Sequence, residues 1–300
     1  MNMNINTPDN MEDVFLRILN KCLKLIDLQY WDGIEKDILL SWAKQFDTDE
    51  EKFLGAAILN NLIYRSKAAV ESFGSNIFHI ILPSILENNG IYNFNDLGEW
   101  CAQLKNKSCM EFPFRFSTIE GVDRFPGKSG SVIYRTLQRK YFDKNLGITP
   151  ELIKGLKNPI KAVVFFDDIL GTSEQFSAFV NKYLNQRTDI KYIYIPLVAH
   201  QDGLDAMSSA FPNIAIHPVE ILTQENSFFS SENLLFKGRV TTEEILVLYE
   251  KFCAKKNLKV KMANGHGNMA LTYCFSDSTP NNNIPLLWYN SHDWTGLFTR

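Results

Sequence analysis

The segment that most constrains the fold is 161–176, where an apolar run is followed by two acids and then by a small Gly-Thr-Ser turn. The run is rich in Val and Phe, which is typical of a strand that is buried in a parallel sheet. Ligands of open α/β sheets bind beyond the carboxyl ends of the strands, and a helix that starts there offers unpaired N–H groups to a phosphate. The segment therefore predicts a ligand site at the end of a buried strand.

Strand and helix patterns alternate from about residue 110 onward. We expect a helix to start at Thr149-Pro150, because proline is favoured at the first helical position. This alternation predicts an α/β domain over 109–300, with a mostly parallel sheet flanked by helices. The predicted strands cover 110–119, 161–168, 190–199, 213–221 and 283–290, and the predicted helices cover 129–142, 171–186, 202–211 and 241–256.

The first part of the chain shows apolar residues at helical spacing instead. Thr48 followed by Glu51 is typical of a capped helix start. We expect residues 1–108 to form an all-helical region that serves docking or regulation. Its predicted helices cover 12–28, 34–46, 48–70, 77–86 and 95–104.

The composition is that of an ordinary globular protein, with 45% hydrophobic and 22% charged residues among 300. A net charge of −3 does not favour a general nucleic-acid binder, and the five cysteines include no CxxC pair of a metal or redox site. The N-terminus lacks the pattern of a signal peptide. The most apolar run, 75–86, is too short for a membrane span and is broken by Pro83, so we expect a cytoplasmic protein that does not enter a membrane.

Asp167 and Asp168 are the leading candidates for ligand binding. Carboxylate oxygens accept hydrogen bonds from sugar hydroxyls, and Mg²⁺ often accompanies a phosphorylated sugar. Together with the turn that follows, the acids predict a ribose-phosphate site. An alternative is open: Thr172 with Gln175 fits a capping box, and the acids then merely end a strand.

A second candidate segment lies upstream, where a flexible turn of Lys128, Ser129, Gly130 and Ser131 opens a helix. Arg135 and Arg139 share one face of that helix at positions i and i+4. The alternative is a surface turn followed by an ordinary amphipathic helix.

These motifs resemble those of the type I phosphoribosyltransferase fold, in which four apolar residues, two acids and two apolar residues precede a small phosphate-binding loop. The resemblance implies that Asp167 and Asp168 are the catalytic pair and hold the ribose 2′- and 3′-hydroxyls. It implies that the upstream turn, with Lys128 and Arg135, binds pyrophosphate, and that Mg²⁺ arrives with the substrate. The residues implied to hold the 5′-phosphate are Gly171, Thr172, Ser173 and Gln175.

The loop departs from the family pattern at three positions. Gly171 stands where the family usually has Ala, Ser or Thr, and Ser173 stands where it commonly has Gly. Glu174 would repel a phosphate at short range unless its side chain points away.

The tail resembles a divergent branch of the same family, the phosphoribosyltransferase-like proteins of bacterial conflict systems, some of which accompany retron reverse transcriptases. In this reading His266 and Asn268 are further ligand candidates, with a plain turn as the alternative. The resemblance implies a toxic effector of antiphage defence and a protein partner such as a reverse transcriptase–nucleic acid complex. The residues that carry it are Gly265-His266-Gly267-Asn268, Thr279-Pro280-Asn281-Asn282, Trp288, Trp294, Phe298 and Arg300.

Two functions remain open at this point. An enzyme would act at the anomeric carbon of phosphoribosyl pyrophosphate or of a nucleotide, as a transferase or as an N-glycosidase. A catalytically inactive sensor would bind a nucleotide or ribose phosphate at the same place and regulate a partner protein.

Overall fold

The computed structural model describes residues 5–120, 129–184, 187–258 and 264–298. The α-helices are Met11–Asp27 (α1), Lys36–Ala43 (α2), Asp49–Asn61 (α3), Lys67–Asn76 (α4), Leu82–Asn88 (α5), Leu97–Leu104 (α6), Ser129–Tyr141 (α7), Glu174–Phe179 (α8), Gln201–Ala210 (α9) and Thr242–Lys255 (α10). The strands are Ile63–Arg65 (β1), Phe114–Thr118 (β2), Ala162–Leu170 (β3), Lys191–His200 (β4), Ile214–Ile216 (β5), Glu220–Leu222 (β6) and Tyr273–Phe275 (β7).

The chain forms two compact units. The first unit combines Met1–Ala68 with Thr223–Arg300, and the second is Ala69–Leu222. The boundary predicted near residue 108 lies inside the second unit. A docking or regulatory role for residues 1–108 stays a prediction.

The second unit contains a parallel sheet in the order β2-β3-β4-β5, and β6 also pairs with β4. The predicted fold class, a mostly parallel sheet flanked by helices, is confirmed. The strand predicted over 213–221 is divided: β5 pairs near the start of β4 and β6 near its end. Pro218 lies between them and has no N–H to donate to a ladder, which explains the interruption.

Aromatic side chains cover both faces of β3. On one face Phe165 packs edge-on against Phe179 of α8, with ring centroids 5.3 Å apart. On the other face Phe166 contacts Phe78 and Phe116 at 5.6 and 5.3 Å. A fully buried Phe contributes about 1.5–3 kcal/mol to stability, so these rings fix β3 firmly between its flanking helices.

A continuous helical segment, Lys67–Asn88, is the one described helix long and apolar enough to span a membrane by length and composition. The prediction that Pro83 interrupts this segment is wrong. A π turn at Ile77–Ile81 precedes the proline, and the N–H of Leu82 donates to the carbonyl of Ile77. A wide turn of this kind accommodates the missing proline donor. Phe78 of this segment stacks on Tyr141 at 4.9 Å, and a core helix passes the same test of composition.

The first unit contains a short parallel pair, β1 with β7. The helix predicted over 48–70 begins as expected, with Thr48 accepting from the N–H of Glu51, but it ends at Asn61. The hydroxyl of Thr272 donates to the carbonyl of Asn61, and the N–H of Ile63 donates to the carbonyl of Thr272. These bonds come from residues more than 200 positions away, so local spacing could not reveal the strand.

The strand predicted over 283–290 is also wrong. Pro285–Leu287 forms a 3₁₀ turn, and the strand of this region is β7. The buried side chain of Asn283 pairs with both the N–H and the carbonyl of Tyr273, the latter at 2.8 Å. A side-chain amide therefore takes the place that a strand backbone would fill.

Candidate active site

The two acids lie where β3 extends past its neighbour. Pairing between β2 and β3 ends at Thr118 and Phe166, whereas β3 continues beside β4 to Leu170. The strand was predicted to end at the acids, but they lie within it, because β4 supplies backbone partners up to Ala199. Among the described residues, no strand pairs with Asp167 or Asp168 on the β2 side. The acids thus lie at the carboxyl edge of the sheet, on the part of β3 that extends past β2.

Tyr194 and the backbone of Asp168 both donate hydrogen bonds to the carboxyl group of Asp167. The hydroxyl of Tyr194, on β4, donates to Oδ2 at 3.1 Å, and the N–H of Asp168 donates to Oδ1 at 3.1 Å. Both acids are only 4% exposed. Asp167 is therefore an oriented, buried carboxyl group rather than a solvated one.

Burial raises the pKa of Asp167 well above its usual range, and the charge of Asp168 and a hydrogen bond with its side chain raise it further. The two bonds donated to Asp167 act in the opposite direction. Burial, followed by the charge of Asp167, also raises the pKa of Tyr194. Asp167 consequently keeps its proton to a higher pH than a solvated aspartate does.

The start of α7 lies against Asp167. A Cβ added to Gly130 would lie 2.5 Å from Oδ1 of Asp167, so no larger residue fits there without movement. The structure thus brings together one residue of the predicted upstream turn and one of the predicted acids.

The other residues of the upstream turn have different positions. Ser131 donates from its hydroxyl to Glu120, and Arg135 lies on the exposed side of α7. Ser129 is the first residue of α7, and Lys128 lies outside the described residues.

The loop after β3 is strained at Ser173. This residue is the N-cap of α8, has φ of +70°, and makes no side-chain capping bond. The capping-box alternative, with Thr172 as the cap, is therefore wrong. A left-handed conformation costs a residue with a Cβ roughly 1–2 kcal/mol and favours glycine, which is the residue the family commonly has there.

The side chains of the loop divide by exposure. Gly171 is buried, Thr172 and Ser173 are half-buried, and Glu174 and Gln175 are exposed. Gly171 also lies directly against Gly203 in the first turn of α9, where an added Cβ would meet the Gly171 carbonyl. The loop is therefore packed on the helix that follows β4.

His200 ends β4 and caps α9. Its Nδ1 accepts from the N–H of Asp202 at 3.2 Å, and its side chain is 1% exposed. This histidine is a structural cap at the same edge of the sheet as the acids.

The predicted candidates His266 and Asn268 belong to the first unit, whereas the acids belong to the second. Both are exposed, in a turn where Gly265, Gly267 and Asn268 have positive φ. The Asn282 side chain donates to the carbonyl of His266 at 3.0 Å. The asparagines of the tail thus shape the turn that carries His266.

No group of three or more His, Cys, Asp or Glu side chains within the described ranges is arranged to hold a metal ion.

Sequence reasoning missed Tyr194 as a member of the site. The available signal was the alternation of Tyr192 and Tyr194 on a strand expected to lie in the same sheet as the acids. The register that places Phe165 opposite Tyr194, two residues before Asp167, could not be read from the sequence.

The model of the PRTase-CE family matches residues 39–300. The chain belongs to the PRTase-CE family. This phosphoribosyltransferase-like family agrees with the parallel sheet and with the resemblance carried by the acid motif, and it indicates phosphoribosyltransferase-like activity. No curated protein shows detectable similarity to this PRTase-CE chain.

Proposed function

We propose that the second unit binds the phosphorylated ribose of phosphoribosyl pyrophosphate or of a nucleotide, and that the protein acts at the anomeric carbon. The observation that carries this proposal is the position of the acid pair. The acids lie on the part of β3 that extends past β2, and Asp167 lies beside Gly130. The loop at Gly171-Thr172-Ser173 follows the same strand and leads into α8. This arrangement suits a phosphorylated sugar. The acids can accept hydrogen bonds from the sugar hydroxyls, and the loop and the start of α7 can face its phosphate groups.

The chemistry requires positioning more than covalent participation. The bond from the anomeric carbon to pyrophosphate or to a base breaks with its electron pair on the leaving group, and an acceptor or water then bonds that carbon and releases a proton to the solvent or to the departing base. Positive charge develops on the ribose ring, which a carboxylate nearby stabilises. Mg²⁺ bound to the pyrophosphate would neutralise charge on the leaving group. The acid pair and the half-buried loop hydroxyls would orient the sugar and its 5′-phosphate for this step.

A sensor without catalysis is the second candidate. The burial of both acids and the internal bonds of Asp167 favour it, because a carboxyl group engaged by Tyr194 has fewer acceptor positions left for a ligand. Binding without turnover would distinguish a sensor from an enzyme.

The test is to incubate the protein with phosphoribosyl pyrophosphate or with nucleotides, each with Mg²⁺, and to follow released pyrophosphate, base and ribose 5-phosphate by mass spectrometry. We expect product release by the wild type and its loss in Asp168→Asn. Product formation that Asp168→Asn leaves unchanged would contradict the catalytic proposal. Binding of these compounds without any product would select the sensor.

We further propose that the protein acts as an effector of antiphage defence in the cytoplasm, with a protein partner such as a reverse transcriptase–nucleic acid complex. The support is the resemblance of the tail, in which Asn282 and Asn283 are buried and hydrogen-bonded. Metabolite profiles of cells that express the protein with and without its genomic neighbours test this role. Loss of particular nucleotides only when the neighbours are absent is the expected result, and unchanged growth and unchanged pools in both cases would contradict it.

A further inference from the structure

We infer that Tyr194 is a positioning residue for the acid pair, because its hydroxyl holds the Asp167 carboxyl group in place beside Asp168. The inference rests on the proposed function for the identity of the ligand, but its structural part is independent of it. It adds to the two acids of the sequence motif a residue of the neighbouring strand β4.

The hydrogen bonds form a chain from β4 to β3. Tyr194 donates to one oxygen of Asp167, and the other oxygen of Asp167 accepts from the backbone of Asp168. Both donors converge on Asp167, so this carboxyl group fixes the peptide that carries Asp168. A change at Tyr194 therefore reaches Asp168 through one intermediate residue.

Tyr194 is itself fixed by the helix that follows the phosphate loop. Its ring stacks on that of Phe176, in α8, with centroids 3.9 Å apart and planes inclined by 28°. Phe176 lies three residues after Ser173, the strained residue of the loop. Tyr194 thus contacts both Asp167 and the first residues of α8. It therefore links the acids, which are proposed to bind ribose, to the loop that is proposed to bind phosphate.

Few ionisable groups act on Asp167 in the part of the chain that the structure describes. They are Asp168 on β3 and Tyr194 on β4, while α7 contributes the backbone of Gly130 and the ring of Phe176 in α8 packs on Tyr194. The Tyr194 hydroxyl is a donor that favours the ionised form of Asp167. Its removal should raise the pKa of Asp167 still further.

Tyr192 provides a matched control on the same strand. It is buried like Tyr194, but its hydroxyl has no hydrogen-bond partner among the described residues. Tyr192→Phe and Tyr194→Phe remove the same atom two residues apart, and both keep the ring that packs in the core.

The test follows the titration of Asp167 by carbon-13 NMR of labelled aspartate carboxyls, assigned with Asp167→Asn. We expect the transition to move to higher pH in Tyr194→Phe and to stay in place in Tyr192→Phe. Affinity for phosphoribosyl pyrophosphate with Mg²⁺ should fall on the order of tenfold in Tyr194→Phe alone.

Two readouts keep this inference separate from the proposed function. If the titration moves but the wild type does not bind phosphoribosyl pyrophosphate, the role of Tyr194 stands and the proposed ligand is wrong. An unchanged titration in Tyr194→Phe, or an equal shift in Tyr192→Phe, would overturn the inference. A thermal-melting cycle of Asp167→Asn with Tyr194→Phe gives a further check, since residues that do not interact show additive effects.

Discussion

The α-carbon of Gly130 faces the carboxyl group of Asp167 so closely that a methyl group at Gly130 would come within 2.5 Å of Oδ1. The first turn of α7 and the acid-bearing strand therefore meet at a point where the sequence allows no side chain. This contact joins two segments that are 37 positions apart in the chain.

Gly130→Ala should disturb the acid pair. Alanine usually stabilises a helix relative to glycine by about 0.5–1 kcal/mol, but here its methyl group must displace the Asp167 carboxyl. We expect a loss of about 1–3 kcal/mol in the free energy of unfolding, measured in urea. Gly155→Ala is the control, because no atom of the described residues lies within 4 Å of its added Cβ. Equal stability of Gly130→Ala and the wild type would show that the contact is not tight.

Ser173→Gly should relieve the strain of the loop after β3. The left-handed conformation costs serine roughly 1–2 kcal/mol, and glycine offsets part of this gain through its greater freedom in the unfolded chain. We expect a net gain of about 0.5–1 kcal/mol in thermal melts. Ser208→Gly, at an exposed position inside α9, should instead destabilise the protein. A loss of stability in both variants would mean that Ser173 is not strained.

The extent to which sequence could predict the fold depends on where each element's partners lie. The strands β3 and β4 were predictable because their runs of Val, Ile, Phe and Tyr are apolar over nearly their whole length. The strand β1 was not, because its partner β7 lies more than 200 residues away. At the site, the motif identified Asp167 and Asp168, whereas the donor to Asp167 depends on the register of β3 with β4.

Asn283→Ala should strongly destabilise the first unit. Asn283 is fully buried, and its side chain bonds the backbone of Tyr273 and the carbonyl of Pro280. Buried polar groups left without partners cost about 1–3 kcal/mol each, so we expect a loss of roughly 2–4 kcal/mol. Asn281→Ala, in the same run of asparagines but only half-buried, is the control. Similar urea midpoints for the two variants would contradict a special role for Asn283.

Stability should depend on pH through Asp167. Because the pKa of Asp167 is raised in the folded state, that state binds the proton more tightly, and stability falls as pH rises from about 4 through the folded pKa. The slope from this group is at most about 1.4 kcal/mol per pH unit. Asp167→Asn should flatten this decline in urea unfolding measured at several pH values. Parallel pH dependences of the variant and the wild type would contradict the raised pKa.

The central claim is that the acid pair binds the ribose of a phosphorylated sugar, and calorimetric titration with phosphoribosyl pyrophosphate and Mg²⁺ tests it most directly. The wild type should bind, and Asp168→Asn should bind on the order of tenfold or more weakly, because a hydrogen bond to a charged group contributes about 1.5–3 kcal/mol. Asp189→Asn is the control, since Asp189 is an exposed partner of Arg187 just before the start of β4. Equal affinity of the wild type and Asp168→Asn for phosphoribosyl pyrophosphate would contradict the claim.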